Sequence, residues 1–169
     1  MTMIIIGILA AVAIPRFFDT DVFRARGFAD EVQATLRYAQ KVAIAQHRFV
    51  CVSFGTNSVT LTTGSTSSCG LPLASPSGNI VACDGVLCPV NQNTFGILNA
   101  NASYNLPLPA NFGFDCLGRP RDLNNRSCND NPPLGVLPPV AGQTYVQNIS
   151  VSGYSGFIYI EAETGYVHQ

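Results

Sequence analysis

The strongest constraint on the fold is an unbroken run of 12 apolar residues near the amino terminus, Met3–Ile14. A helix needs about 20 apolar residues to cross a bilayer, so this run alone is too short to do so. Three interpretations are open: a secretory signal core with Ala11-Val12-Ala13 as its cleavage site, a buried core helix, or the remainder of a membrane helix. The absence of a preceding positive charge disfavours the signal peptide.

Small residues recur within this run, and a proline follows it. Small side chains let two helices approach closely, whereas a proline removes a helical hydrogen bond and kinks or locally unwinds the helix. The pattern therefore predicts a helix that packs against other helices and loosens at its proline. The residues are Gly7, Ala10, Ala11, Ala13 and Pro15.

The order of these residues carries a family resemblance. Residues 7–17 read Gly-Ile-Leu-Ala-Ala-Val-Ala-Ile-Pro-Arg-Phe and resemble the N-terminal helix of type IV pilins and type II secretion pseudopilins. In that family a basic leader, a prepilin peptidase site and a Phe-Thr-Leu-Ile-Glu-like stretch come first. Here Met1-Thr2-Met3 stands in their place, so we expect either a natural start further upstream or a shortened chain.

A second helical pattern covers residues 23–47. Apolar side chains recur there at spacings of three and four, which predicts a helix with one apolar face packed on a sheet. The segment 36–45, followed at once by a strand pattern, resembles the pseudopilin-H branch and minor pilins of the mannose-sensitive haemagglutinin type. The apolar face consists of Phe28, Val32, Leu36, Ala39 and Ala43.

The remainder, residues 48–169, is rich in serine, threonine, asparagine, glycine and proline, a composition that favours strands joined by turns. Turns are predicted at Gly55-Thr56-Asn57 and Glu163-Thr164-Gly165, and loops at 64–78 and 117–144. Strands are predicted at 48–54, 57–63, 79–82, 94–98, 111–115, 145–151, 156–161 and 165–168.

Three segments thus make up the predicted organisation: an apolar filament or membrane helix at 1–22, an amphipathic helix at 23–47 and a β-rich head at 48–169. They predict the α+β class, with a long N-terminal helix packed on an antiparallel β-sheet or β-sandwich. The resemblance implies that this is the pilin fold.

All six cysteines lie in the head, within a segment of very low charge. An even number of cysteines in such a segment indicates disulfides and an oxidising compartment. Sequence alone does not select the pairing, and our expectation joins neighbours along the chain. The alternative is a zinc site at Cys83 and Cys88, whose spacing is roughly that of zinc ligands. No second close pair of cysteines or histidines completes such a site. The expected pairs are Cys51–Cys69, Cys83–Cys88 and Cys116–Cys128.

No arrangement of residues supports catalysis. His47 and His168 stand outside any nucleophile–base motif, and phosphate-loop, zinc-protease and hydrolase motifs are missing from the sequence. Strand alternation places Glu161 and Glu163 on one face, where simple exposure is the favoured explanation. We therefore predict a protein that is not an enzyme and uses no cofactor or small-molecule substrate.

An oxygen-rich stretch around Cys128 raises the question of calcium, because some pseudopilins hold calcium in a head loop. The stretch lacks the glycine and glutamate positions of an EF-hand loop. Turn formation by asparagine and aspartate is the favoured explanation, and no metal is predicted. The residues are Asp122, Asn124, Asn125, Asn129 and Asp130.

Three arginines, Arg119, Arg121 and Arg126, form the basic cluster of the late head. They suggest weak, salt-sensitive contacts with phosphates, since certain minor pilins of this branch bind DNA. Neighbouring carboxylates such as Asp115 and Asp122 offset the charge, and the whole chain carries a formal net charge of −1. DNA binding therefore ranks below a structural role.

The resemblance implies a minor pilin or pseudopilin that joins or primes a type IV pilus-like filament. Its partners would be other pilin subunits, bound through the N-terminal helix. It would reside in the inner membrane before assembly and afterwards in an extracellular or periplasmic filament. The alternative is a binding module at the filament surface or tip, for DNA or for adhesion to a host surface.

Overall fold

A computed structural model describes residues 20–73, 82–83, 86–87, 96–98, 102–124, 127–128 and 137–169. Helix α1 spans Thr20–Gln46 and precedes the strands. The strands are β1 Phe49–Phe54, β2 Ser58–Gly64, β3 Leu71–Pro72, β4 Ala82–Cys83, β5 Val86–Leu87, β6 Gly96–Leu98, β7 Phe112–Phe114, β8 Pro120–Arg121, β9 Tyr145–Ser150, β10 Phe157–Glu161 and β11 Val167–His168.

Helix α1 forms where apolar residues recur with the helical period, and it covers nearly all of the predicted 23–47. Asp21 in its first turn suits the positive end of the helix dipole. The buried apolar side chains form one continuous stripe along the helix. They are Ala25, Phe28, Ala29, Val32, Leu36, Ala39, Val42 and Ala43.

The helix ends at a residue in the left-handed conformation. His47 has φ of 49°, which turns the chain out of the helix. The backbone N–H of Arg48 donates to the carbonyl of Ala43 at 3.2 Å, so one terminal carbonyl keeps a partner. This tight end directs the chain straight into β1, as the sequence predicted.

The main sheet has the order β3-β2-β1-β7-β8, and β6 also pairs with β2. Strands β1 and β2 form an antiparallel hairpin in which Val52 lies opposite Leu61. The N–H of Gly55 donates to the carbonyl of Ser58 at 2.9 Å and closes the predicted turn.

The second sheet has three antiparallel strands in the order β11-β10-β9, and it is called the C-terminal sheet below. Its register places Ile158 opposite Ile149 and Ile160 opposite Val167. Strands β4 and β5 form a separate pair.

One hydrophobic core joins the helix to both sheets. The apolar stripe of α1 packs against side chains from the main sheet and from the C-terminal sheet, which belong to the same buried cluster. The described structure is thus an α+β arrangement, in which a helix packs on antiparallel sheets. The largest strand side chains in this cluster are Val50, Val52, Leu61, Phe112, Phe114, Ile149, Ile158 and Ile160.

Two predicted loops contain short strands. Leu71–Pro72 lies within the predicted loop 64–78, and Pro120–Arg121 lies within the predicted loop 117–144. Both strands are at the ends of the main sheet. A proline is tolerated in an edge strand because its missing N–H need not serve a second neighbour. The prediction that these two segments consist of loop alone was therefore wrong.

The strand predicted at 79–82 is described only as Ala82–Cys83, because residues 79–81 lie outside the described part. Strand β5, at Val86–Leu87, was not predicted. Its two residues are too few to produce a recognisable alternation of apolar and polar side chains.

Two disulfides are present among the described residues, and each joins cysteines that are consecutive along the chain. Cys51–Cys69 links β1 to the segment after β2, and Cys116–Cys128 closes the turn region after β7. These are two of the expected pairs. Closing loops of this length restricts the unfolded chain, a contribution of about 3 kcal/mol each. The third expected pair, Cys83–Cys88, and its zinc rival lie outside the residues whose side chains are described.

Three segments meet closely at the C-terminal end of the helix. The side-chain amide of Gln40 donates to the carbonyls of Thr164 and Gly118, at 2.7 and 3.1 Å. Gly165 has φ of 66°, and a β-carbon there would lie 2.1 Å from the Gly118 oxygen. Glycine is required at this predicted turn for its conformation and for this contact.

Among the residues that the structure describes, no helix combines the length and the apolar character needed to cross a bilayer.

Replacing Leu36 by alanine should lower the free energy of unfolding by about 2–5 kcal/mol, since its side chain is fully buried in the shared core. Leu117→Ala removes the same atoms from an exposed position and should cost less than about 0.5 kcal/mol. Denaturant unfolding measures both. Equal losses would contradict the placement of the apolar stripe.

Candidate functional site

The predicted assembly residues Gly7, Ala10, Ala11, Ala13 and Pro15 lie outside the described residues. The described structure begins at the start of α1. That start, residues 20–26, is the described segment nearest in sequence to the apolar run.

The start of α1 leaves large apolar side chains uncovered. Phe23 is 74% exposed and Val22 is 49% exposed, whereas Ala25 is the first buried residue of the stripe. Arg24 and Arg26 are exposed beside them. The Arg24 guanidinium lies 3.7 Å from the exposed Asp21 carboxylate, an ion pair of little energetic weight in water. This end of the helix is therefore an apolar patch bordered by positive charge.

Two arginines of the predicted basic cluster lie against a carboxylate of their own turn. Asp115 is buried in the turn after β7, and its Oδ2 accepts from Nε of Arg119 at 3.1 Å and from Nε of Arg121 at 2.8 Å. Arg121 is only 4% exposed. These two arginines are thus internal partners of a carboxylate, and Arg126 lies outside the described residues.

The same carboxylate also organises the backbone of its turn. Oδ1 of Asp115 accepts from the N–H groups of Leu117 and Arg119, each at 2.9 Å. The carbonyl of Asp115 accepts from Gly118, whose φ is 77°. One buried acid therefore holds the turn that begins the Cys116–Cys128 loop. Its contacts indicate a structural hub.

The oxygen-rich stretch shows local hydrogen bonding where it is described. Nδ2 of Asn124 donates to Oδ2 of Asp122 at 3.1 Å. Asn125, Asn129 and Asp130 lie outside the described residues. Within the described part of the chain, no three metal-binding side chains converge.

The two carboxylates predicted to share a strand face do not lie on one strand, because β10 ends at Glu161 and Glu163 lies in the following turn. Placing them on one strand face was therefore wrong. Oε1 of Glu161 instead lies 2.9 Å from Nε2 of His168. Hydrogen bonds lower the pKa of Glu161 below its ordinary value. The bond from His168 has the largest effect, and the bond from Thr144 comes second. The pair fastens β10 to β11.

A row of rings covers part of the outward face of the C-terminal sheet. Tyr159 is central, with ring centres 4.9 Å from Tyr145, 5.4 Å from His168 and 6.1 Å from Phe157. The ring of Tyr166 stacks beyond His168 at 5.6 Å. Such cross-strand ring contacts stabilise a sheet and leave apolar edges facing solvent.

Polar residues of α1 hold the last strand. Nε of Arg37 donates to the carbonyl of Val167 at 2.9 Å, and Oδ1 of Asp30 accepts from the side-chain amide of Gln169 at 3.1 Å. Together with Gln40, they form a row beside the apolar stripe. The chain's last residues are thereby attached to the helix along its length.

The hydroxyl of Tyr104 is buried near the helix. Its ring lies 5.2 Å from that of Phe28 and 5.6 Å from that of Phe54. Burial, with the nearby charge of Glu31, raises the pKa of Tyr104 far above its ordinary value. This hydroxyl therefore stays protonated, and its hydrogen-bond partner is missing within the described structure.

Two of the open clefts in the described part of the chain border the C-terminal sheet. One has a volume of about 440 Å³ and lies between the segment 105–112 and β9. The other has a volume of about 670 Å³ and lies between residues 137–144 and the turn 161–164, and it is called the acidic cleft below because Glu161 and Glu163 line it.

Sequence reasoning missed the row of rings, the polar row on α1 and the acidic cleft. The alternation of Phe157 and Tyr159 with isoleucines signalled an aromatic outer face. The spacing of Asp30, Arg37 and Gln40 signalled a second helical face. The cleft had no sequence signal, because it joins a proline-rich segment to a turn some 20 residues later.

Comparison of the chain with models of protein families, with curated proteins and with solved structures gives no match. Functional proposals therefore rest on the chain's own residues and contacts. The described features that bear on them are the uncovered start of α1 and the acidic cleft.

Replacing Asp115 by asparagine should lower the free energy of unfolding by about 3–5 kcal/mol, because buried Arg121 would lose its counter-charge. Glu163→Gln makes the same chemical change at an exposed site and should be nearly neutral. Denaturant unfolding compares the two variants. An equally small loss at both positions would show that Asp115 is not the hub of its turn.

Protonation of Glu161 should weaken the fold in acid. Because the folded pKa is below the ordinary value of 4.5, the stabilisation is complete above that pH and is lost as pH falls through the folded pKa. Unfolding midpoints measured from about pH 6 to about pH 3 should therefore fall less steeply for Glu161→Gln than for the native chain. Glu163→Gln serves as the control, and parallel curves for native chain and Glu161→Gln would refute the effect.

Proposed function

We propose that this chain is a structural subunit of a type IV pilus-like filament, a minor pilin or pseudopilin that assembles through its N-terminal helix. The observation that carries the proposal is the uncovered start of α1, where Phe23 and Val22 face solvent. Contiguous exposed apolar side chains favour contact with another apolar surface. Directly upstream in the sequence comes the apolar run Met3–Ile14.

The composition of that run supports packing between helices. Gly7, Ala10, Ala11 and Ala13 are small enough for two helix backbones to approach closely. Pro15 allows the helix to bend where it leaves the bundle. In the proposed filament, the N-terminal helices of neighbouring subunits form the core and the heads form the outside.

The attachment of α1 to the head supports the same role. Its stripe is buried from Ala25 to Ala43, so force on the helix is transmitted to the sheets. The disulfides Cys51–Cys69 and Cys116–Cys128 suit an oxidising compartment. We therefore place the subunit in the inner membrane before assembly and in an extracellular or periplasmic filament afterwards. The helix-on-sheets arrangement is consistent with the proposed pilin fold.

The alternative role, a surface or tip module that binds DNA, loses its main support. Arg119 and Arg121 are engaged with Asp115, and Arg121 is buried. A phosphate-binding surface needs cations that are free to release counterions. We therefore favour the structural role over DNA binding.

Replacing Gly7 and Ala11 by leucine should abolish assembly, because bulky side chains would hold neighbouring helices apart. Ile5→Leu with Ile6→Leu preserves apolar character and size and is the matched control. The full chain, fused to a prepilin leader and produced in a bacterium with type IV pilus machinery, is quantified in the sheared filament fraction. Native levels of the Gly7 and Ala11 variant in that fraction would disprove this mode of assembly.

A further inference from the structure

The acidic cleft combines apolar and acidic walls. Its volume is about 670 Å³. Glu161 and Glu163 are its charged residues within the described structure, and no lysine or arginine is among its described lining residues. Glu163 is exposed, whereas Glu161 also contacts His168 and Thr144. The apolar part of the wall consists of Leu137, Pro138, Pro139 and Ala162.

The start of α1 has the complementary character. Phe23 and Val22 are exposed apolar side chains bordered by Arg26. Arg24 also borders them, as the ion-pair partner of the exposed Asp21. An aromatic side chain flanked by arginines is typical of the residues that dominate protein interfaces. Its counterpart would be an apolar recess bordered by carboxylates.

The helix start cannot reach the cleft of its own chain. Gln40 of α1 contacts Thr164 on the rim of the cleft. Phe23 precedes Gln40 by 17 residues, which corresponds to about 25 Å along a helix. The two complementary surfaces therefore lie at opposite ends of α1.

We propose that the acidic cleft receives the start of α1 from a second copy of this chain, with Phe23 against Leu137 and Ala162 and with Arg26 opposite Glu163. This inference rests on the proposed filament role and specifies one contact within it. Because the two surfaces differ and lie apart along α1, the contact is head-to-tail and can repeat without closing. A repeat of that kind generates a filament.

The charge of the cleft distinguishes this occupant from others. Two carboxylates, with no lysine or arginine among the described residues of the cleft, repel the phosphates of a nucleic acid. A purely apolar helix would leave the exposed Glu163 carboxylate without a partner at the interface, whereas Glu161 already contacts His168 and Thr144. The start of α1 offers Phe23 to the apolar wall and Arg26 to Glu163.

Photo-cross-linking of the full chain in detergent micelles tests the contact. Phe23 is replaced by p-benzoylphenylalanine, and chains labelled with ¹⁴N and ¹⁵N are mixed so that mass spectrometry identifies links between copies. Links from position 23 should map to residues 137–139 and 161–164. The same photoreactive residue at Leu106, which is highly exposed but lies outside both surfaces, should give no links to these segments.

Charge reversal tests the polar half of the contact. Arg26→Glu and Glu163→Arg should each reduce the yield of the position-23 link about fivefold, the effect of losing an exposed ion pair. The double variant should restore the yield, because the pair is re-formed with opposite orientation. Arg48→Glu makes the same charge change at another exposed position and should leave the yield unaltered.

The outcomes separate this contact from the wider proposal. Links from position 23 to other segments, or no restoration in the double variant, would overturn the contact with the acidic cleft. If links are absent while the chain is still recovered in the sheared filament fraction, the contact alone is wrong. If the chain is absent from filaments as well, both proposals fail.

Discussion

The burial of one apolar stripe of α1 is the interaction on which the rest of the structure depends. Each sheet presents an apolar face, represented by Val52 and Leu61 in one and by Ile158 and Ile160 in the other. Neither sheet covers its own apolar face, and α1 contributes to a core shared with both. Burying such side chains contributes about 1.5–3 kcal/mol each, so removal of the helix would expose the core of the head. Helix and head are therefore one energetic unit, as the proposed filament subunit would require.

Polar contacts determine how the loops sit on this core. Asp115 receives two backbone N–H groups and two guanidinium groups, and Gln40 joins the turn of Gly118 to the turn of Thr164. Buried charge of this kind is stable only when every group has a partner, which explains why Arg119 and Arg121 turn inward. The chain therefore uses Arg119 and Arg121 to build a turn. The positive charge left at the surface of α1 includes Arg24 and Arg26.

The start of α1 is exposed, in contrast to the buried stripe along the rest of the helix. The stripe begins at Ala25, and the two large apolar residues before it are left to solvent. The acidic cleft at the other end of the helix is the surface that we propose for this end of a second copy. Two different, complementary surfaces would let copies of the chain add at each end.

Local rules in the sequence were sufficient for α1, for the hairpin at Gly55 and for the turn at Gly165, because helical period, strand alternation and glycine conformation are properties of neighbouring residues. Cysteine adjacency also predicted the pairs Cys51–Cys69 and Cys116–Cys128. Only the tertiary structure decided that Pro120 lies in an edge strand, that Arg121 is buried on Asp115 and that the acidic cleft exists. These features bring together residues from separate segments, and their energies depend on desolvation and on long-range neighbours, which no local pattern of residues encodes.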